Sequence, residues 1–120
     1  MINNADVDND RWTIGGNHQA EKTDEDVLAV IFRTSRVASI SNKMFSQFKN
    51  LIYLQMDNSY LNRESSFTGA YKLLRFDGAY NSVTDLPAKS FVNCKSLRYV
   101  DLYMNAIETV DLAAFEGLTN

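Results

Sequence analysis

The chain has 120 residues, 45% hydrophobic and 22% charged, with a formal net charge of −3. These values lie near the averages for an ordinary globular domain and exclude a disordered or fibrous class. The mild acidity, without a basic stripe, argues against a nucleic-acid partner. No run of residues approaches the ~18 consecutive apolar positions of a membrane span.

The first segment, residues 1–26, carries no repeat. Met1 to Asp10 is polar and acidic and has neither the charged start nor the apolar core of a secretory signal. Asp6, Asp8 and Asp10 open like a calcium loop, but Arg11 and Asn17 stand where that loop needs glycine and glutamate. Gly15-Gly16 is a turn signal, since no phosphate-loop lysine and hydroxyl follow. His18 reads as an exposed loop histidine. With one histidine and one cysteine, Cys94, neither a structural zinc site nor an internal disulfide can be assembled. Trp12 and Ile14 are the apolar candidates of this segment, ahead of an acidic cluster at Glu21, Asp24, Glu25 and Asp26.

From Val27 onward one pattern recurs. The first copy reads Val27, Val30, Phe32, Ser35, Val37, Ile40, and the second Leu51, Leu54, Met56, Ser59, Leu61. The third reads Leu73, Phe76, Gly78, Asn81, Val83, Leu86, and the fourth Leu97, Val100, Leu102, Asn105, Ile107, Val110. Starts at 27, 51, 73 and 97 are spaced by 24, 22 and 24 residues. A phenylalanine falls eighteen residues after the start at Phe45, Phe91 and Phe115, and Phe67 falls two positions early in the shorter copy. An i, i+3, i+5 rhythm that restarts on schedule breaks a helical stripe. It is the signature of stacked coils. Cys94, three residues before Leu97, falls at a buried position and reads as an inert core thiol.

The pattern L-x-x-L-x-L-x-x-N-x-L resembles the leucine-rich repeat family. Phrases such as Ile40-Ser41-Asn42-Lys43-Met44-Phe45 and Val92-Asn93-Cys94-Lys95-Ser96-Leu97 are similar to the extracellular repeats of Toll-like receptors and related insect proteins. The resemblance implies an α/β-type solenoid, a right-handed coil with short parallel strands on its concave face and loops or short helical turns on its convex face. No coil buries its apolar edge alone, so neighbours must stack. Asn81 and Asn105 are expected to bond the backbone of adjacent coils, with Ser35 and Ser59 as weaker substitutes. Residues 1–26 are expected to form an acidic leader and cap, with four repeats over 27–120 left open at the C-terminal side. That openness suggests a fragment.

The same register names the outward side chains. They are Ala29, Ile31, Arg33 and Thr34 from the first strand, then Tyr53, Gln55, Asp57 and Asn58. The third strand gives Arg75, Asp77, Ala79 and Tyr80, and the fourth Tyr99, Asp101, Tyr103 and Met104. Asp77 and Asp101 should lie about 5 Å apart along the sheet. Like charges so placed repel unless cations intervene; Arg75 is a candidate, and Arg33 is expected to pair with Asp57. Tyrosine and carboxylate together suit recognition of a protein or peptide with basic groups. Tyr53, Gln55, Asp57, Arg75, Asp77, Tyr80, Tyr99, Asp101 and Tyr103 are therefore the candidate partner-binding residues. No catalytic group, cofactor or metal is expected. The resemblance implies a receptor-like, cell-surface or secreted ectodomain in immunity, adhesion or development. An intracellular adaptor or scaffold element is the alternative. The missing signal, missing cysteine cap and absent N-x-[ST] sequon keep both open.

Overall fold

The computed structural model describes residues 19–33, 40–59 and 67–118. Expectations for the acidic leader, Trp12, Ile14, His18, Thr34, Ser35, Val37 and Leu61 lie outside the described residues.

Strands β1 (Ala29–Ile31), β2 (Tyr53–Gln55), β3 (Arg75–Asp77) and β5 (Tyr99–Asp101) form a four-stranded parallel sheet in the order β1-β2-β3-β5. Each lies at the strand position expected in one copy of the pattern. Register is unbroken: Val30 pairs with Leu54, Leu54 with Phe76, and Phe76 with Val100. The middle residue of each strand points inward because side chains alternate along a strand. Val30, Leu54 and Phe76 are fully buried, and they join Phe32, Met56, Leu73 and Leu97 in one continuous core. Each such side chain contributes about 1.5–3 kcal/mol of burial.

The return path of the chain closes that core. Ser41 is extended and its hydroxyl accepts from the Lys43 N–H, which starts helix α1 (Asn42–Gln47). Such a cap satisfies an otherwise orphaned donor. Met44 and Phe45 are the buried face of the helix. Phe45, Phe67 and Phe91 then run through the core ring against ring, with centroids 6.0 and 5.0 Å apart. Phe115 continues the column, stacked on Phe91 at 5.5 Å. It is nevertheless 44% exposed, because no described residue stacks on its other side.

A second parallel pair, β4 (Asp85–Leu86) with β6 (Thr109–Val110), was not expected from the sequence. It falls at the apolar position that closes the third and fourth copies.

The asparagine ladder forms. The Asn81 side-chain amide donates to Met56 O at 2.7 Å and to Gly78 O at 3.0 Å, while its Oδ1 accepts from Ser59 N at 2.9 Å. Asn105 donates likewise to Gly78 O at 2.9 Å, but its Oδ1 accepts from Val83 N at 3.0 Å, two residues beyond the counterpart of Ser59. Each asparagine thus ties the turn after its own strand to the turn after the neighbouring strand. Immediately before Ser59, Asn81 and Asn105, the backbone turns through the left-handed region at Asn58 (φ 53), Tyr80 (φ 54) and Met104 (φ 54). That turn ends strict alternation, and Ala79, expected outward, is buried at 8% exposure.

A second set of staples runs along the side of the coils where the strands begin. Asn50 Nδ2 donates to Glu25 O at 2.8 Å, Lys72 Nζ to Asn50 Oδ1 at 2.6 Å, and Ser96 Oγ to Tyr71 O at 2.9 Å. Lys49 pairs with Glu25 at 3.1 Å, but both side chains are about two-thirds exposed, so the pair adds little stability. The acidic cluster is locally ordered: Asp24–Asp26 is a 3-10 turn whose start is closed by a reciprocal box, Asp26 Oδ2 accepting from the Thr23 N–H and Thr23 Oγ1 from the Glu25 N–H. The Thr23 N–H holds the Asp26 carboxyl below its usual range, with Lys22 adding to the effect.

Candidate functional site

The outward residues of the sheet stand in two columns. Ala29, Tyr53, Arg75 and Tyr99 are successive partners in one, and Ile31, Gln55, Asp77 and Asp101 in the other. Parallel pairing in unbroken register therefore brings the candidate residues of β2, β3 and β5 together on one surface. Asp57, Tyr80 and Tyr103 continue it past the strand ends.

The centre of this surface is a closed polar network. Arg75 Nε meets both oxygens of Asp77, at 2.9 and 3.0 Å. The Tyr53 hydroxyl donates to Asp77 Oδ2 at 2.8 Å. Asp77 faces outward but is only 7% exposed, so it does not offer a free carboxylate. Arg75, two residues before Asp77 on the same strand face, supplies the opposite charge beside the Asp77–Asp101 pair of the sheet. That guanidinium also lies over the Tyr99 ring at 4.3 Å and near the Tyr53 ring at 5.7 Å. Cation–π contact of this kind is worth about 0.5–1 kcal/mol at an exposed site. The hydrogen bond to Asp77 raises the Arg75 pKa. Burial, reinforced by the bond to Asp77, pushes the Tyr53 hydroxyl up to about 12.

Asp57 is placed differently from expectation. Its Oδ2 accepts from the Gln55 side-chain amide, and its Oδ1 is buried without a hydrogen-bond partner. Gln55 thus takes the place expected for Arg33, because it stands two residues earlier on the same strand face. The Gln55 oxygen lies 3.0 Å from the Tyr53 hydroxyl. A phenol has one proton, and the shorter bond to a carboxylate claims it.

At the β5 end the surface opens. Tyr80, Tyr99 and Tyr103 are 51%, 46% and 63% exposed, and Met104 beside them is also exposed. The Tyr80 and Tyr103 rings meet edge to face, with centroids 5.7 Å apart at 86°. Asp101 Oδ1 accepts from the Tyr103 N–H at 2.8 Å. The exposed tyrosines and Asp101 were all named as outward residues from the sequence, and so was Arg75 as a cation for the carboxylates; the close pairing of Arg75 with Asp77 on one strand was not.

Elsewhere, Cys94 is fully buried and packed into the core, and burial pushes its thiol up to about 12. Among the described residues, no group of three or more histidine, cysteine, aspartate or glutamate side chains could hold a metal ion. No helix among them is long and apolar enough to cross a membrane.

No protein-family model matches the chain, and no curated protein matches it. Among solved structures, a chain of the TLR13–ssRNA13 complex aligns with a TM-score of 0.40 and 17% sequence identity. The alignment covers 78% of this chain and 20% of that one, so this chain spans about a fifth of its length.

Proposed function

We propose that this chain is a non-catalytic protein-binding module of the leucine-rich repeat kind, and that the outward face of its four-stranded sheet recognises a protein or peptide segment. In this reading residues 27–120 are four stacked repeats of a solenoid, residues 1–26 precede them as a leader and cap, and the parent is a receptor-like ectodomain. The repeat type supports that placement. The observation that carries the binding role is the group of half-exposed tyrosines, Tyr80, Tyr99 and Tyr103, around Asp101. Tyrosine offers large contact area with a polar tip at little entropic cost, and such patches mark interfaces. The face carries Asp57, Asp77 and Asp101 against Arg33 and Arg75, so a cationic peptide suits it better than a phosphate backbone, whose binding rests on basic residues.

The test is selection of peptides from a displayed library on the intact chain. Their affinities are then measured for the native protein and for the Tyr99→Ala/Tyr103→Ala variant, with folding checked by circular dichroism. Loss of about tenfold or more in affinity is expected for a central aromatic pair. Selected peptides that bind the variant equally well would remove this face as the site.

A further inference from the structure

The repeat provides an internal comparison between neighbouring coils. In β3 the outward residues are Arg75 and Asp77, and in β5, at the same register, they are Tyr99 and Asp101. Coil three therefore carries its own cation, held by a carboxylate at 2.9 Å and by tyrosine rings at 4.3 and 5.7 Å. The fourth copy has the carboxylate without the cation, and the tyrosines beside it that Arg75 does not already occupy are Tyr103, two residues on, and Tyr80 of the third copy. Tyr99 stands where the arginine would be. Asp101 uses Oδ1 to accept from the Tyr103 N–H, and among the described residues its Oδ2 accepts no hydrogen bond. Tyr103 and Tyr80 stand beside it edge to face and more than half exposed.

We propose that Asp101, Tyr103 and Tyr80 form a subsite for an arginine side chain of the partner, which completes in coil four what Arg75 completes in coil three. The inference rests on the binding role proposed above and names the chemistry of one contact within it. Arginine is favoured over lysine because the internal template is a planar guanidinium lying on tyrosine faces. A guanidinium is more weakly hydrated than an ammonium, and it stacks on aromatic rings while donating to a carboxylate. Arg75, the cation on the neighbouring strand, is held by Asp77, and among the described residues Asp101 takes part in no salt bridge.

The probe is acetyl-arginine amide, titrated into isotopically labelled intact protein and followed by the backbone amide signals. Saturable shifts centred on the Tyr103 amide are expected, in the millimolar range suited to so small a ligand. Acetyl-lysine amide should bind a few-fold more weakly. Asp101→Asn should weaken arginine binding by about tenfold with an unchanged circular dichroism spectrum, and Asp85→Asn, on β4, should leave it unaltered. Absence of shifts at Tyr103, equal binding by Asp101→Asn, or stronger shifts with single-stranded oligouridylate would each overturn the proposal. Library-selected peptides that depend on Tyr99 and Tyr103 but tolerate loss of every arginine would overturn it while leaving the broader binding role intact. Failure to select any peptide would instead count against that broader role.

Discussion

Replacing Asn81 with alanine is the perturbation whose cost the structure specifies best. The side chain donates to Met56 O at 2.7 Å and accepts from Ser59 N at 2.9 Å, both on the preceding coil. Met56 and Ser59 are buried, so in the alanine variant these two backbone groups lose their partner where water has poor access. An unsatisfied buried group costs about 1–2 kcal/mol here, which gives roughly 2–4 kcal/mol for the pair. For a chain of this size that is a fall in melting temperature of roughly 8–16 °C. Asn81→Asp separates the two halves of the effect. It keeps an acceptor for Ser59 N but turns an anionic oxygen toward Met56 O, Gly78 O and Ala79 O, so it should be at least as destabilising at neutral pH and should recover on acidification. Urea unfolding followed by circular dichroism measures both, with the exposed Ser82→Ala as reference. If Asn81→Ala unfolds within about 0.5 kcal/mol of that reference, the ladder does not hold the coils together and the reasoning fails.

Other substitutions and pH changes test separate parts of the structure. A Cβ at Gly78 would lie 2.7 Å from Phe76 Cζ, so Gly78→Ala should cost about 1–3 kcal/mol, and adding Phe76→Leu should cost less than the two single changes together in urea unfolding. Met104 is exposed with φ 54, so Met104→Gly should stabilise by about 0.5–1 kcal/mol through relief of left-handed strain, read as a higher urea midpoint. Cys94 and Tyr53 both have their pKa values raised to about 12 in the folded chain. The unfolded chain therefore releases these protons first, so the contribution of these two groups is constant below about pH 8.5 and is lost as pH rises toward 12. Native Cys94 should resist iodoacetamide at pH 8 until denaturant is added, and ultraviolet titration should show a late tyrosine near pH 12 that Tyr53→Phe abolishes.

What the sequence made legible was whatever every copy of the pattern must solve in the same way. Leu54, Phe76 and Val100 recur because each coil has one inward strand position to fill, and Asn81 and Asn105 recur because each turn leaves backbone groups that the next coil must satisfy. The same periodicity placed Tyr53, Arg75 and Tyr99 in one column. Features that do not recur in every copy of the pattern were hidden. The β4–β6 pair shows no alternation over two residues. The bond from Ser96 to Tyr71 O involves a backbone acceptor that no side-chain pattern reveals. Pairing of Asp57 with Gln55 in place of Arg33 is a competition between a neighbour two residues away and one across the sheet, and spacing alone does not rank them. Phe115 is exposed although its pattern matches that of buried Phe91, because burial belongs to the neighbour and not to the residue.

The central claim is the parallel stacking of coils in unbroken register, and nuclear Overhauser contacts across the strands measure it directly. Backbone contacts linking Leu54 to Phe76 and Phe76 to Val100, at the spacings of parallel strands, are the predicted result. Short-range helical contacts through residues 73–78, or Phe76 paired with neither Leu54 nor Val100, would contradict the fold and the site built on it.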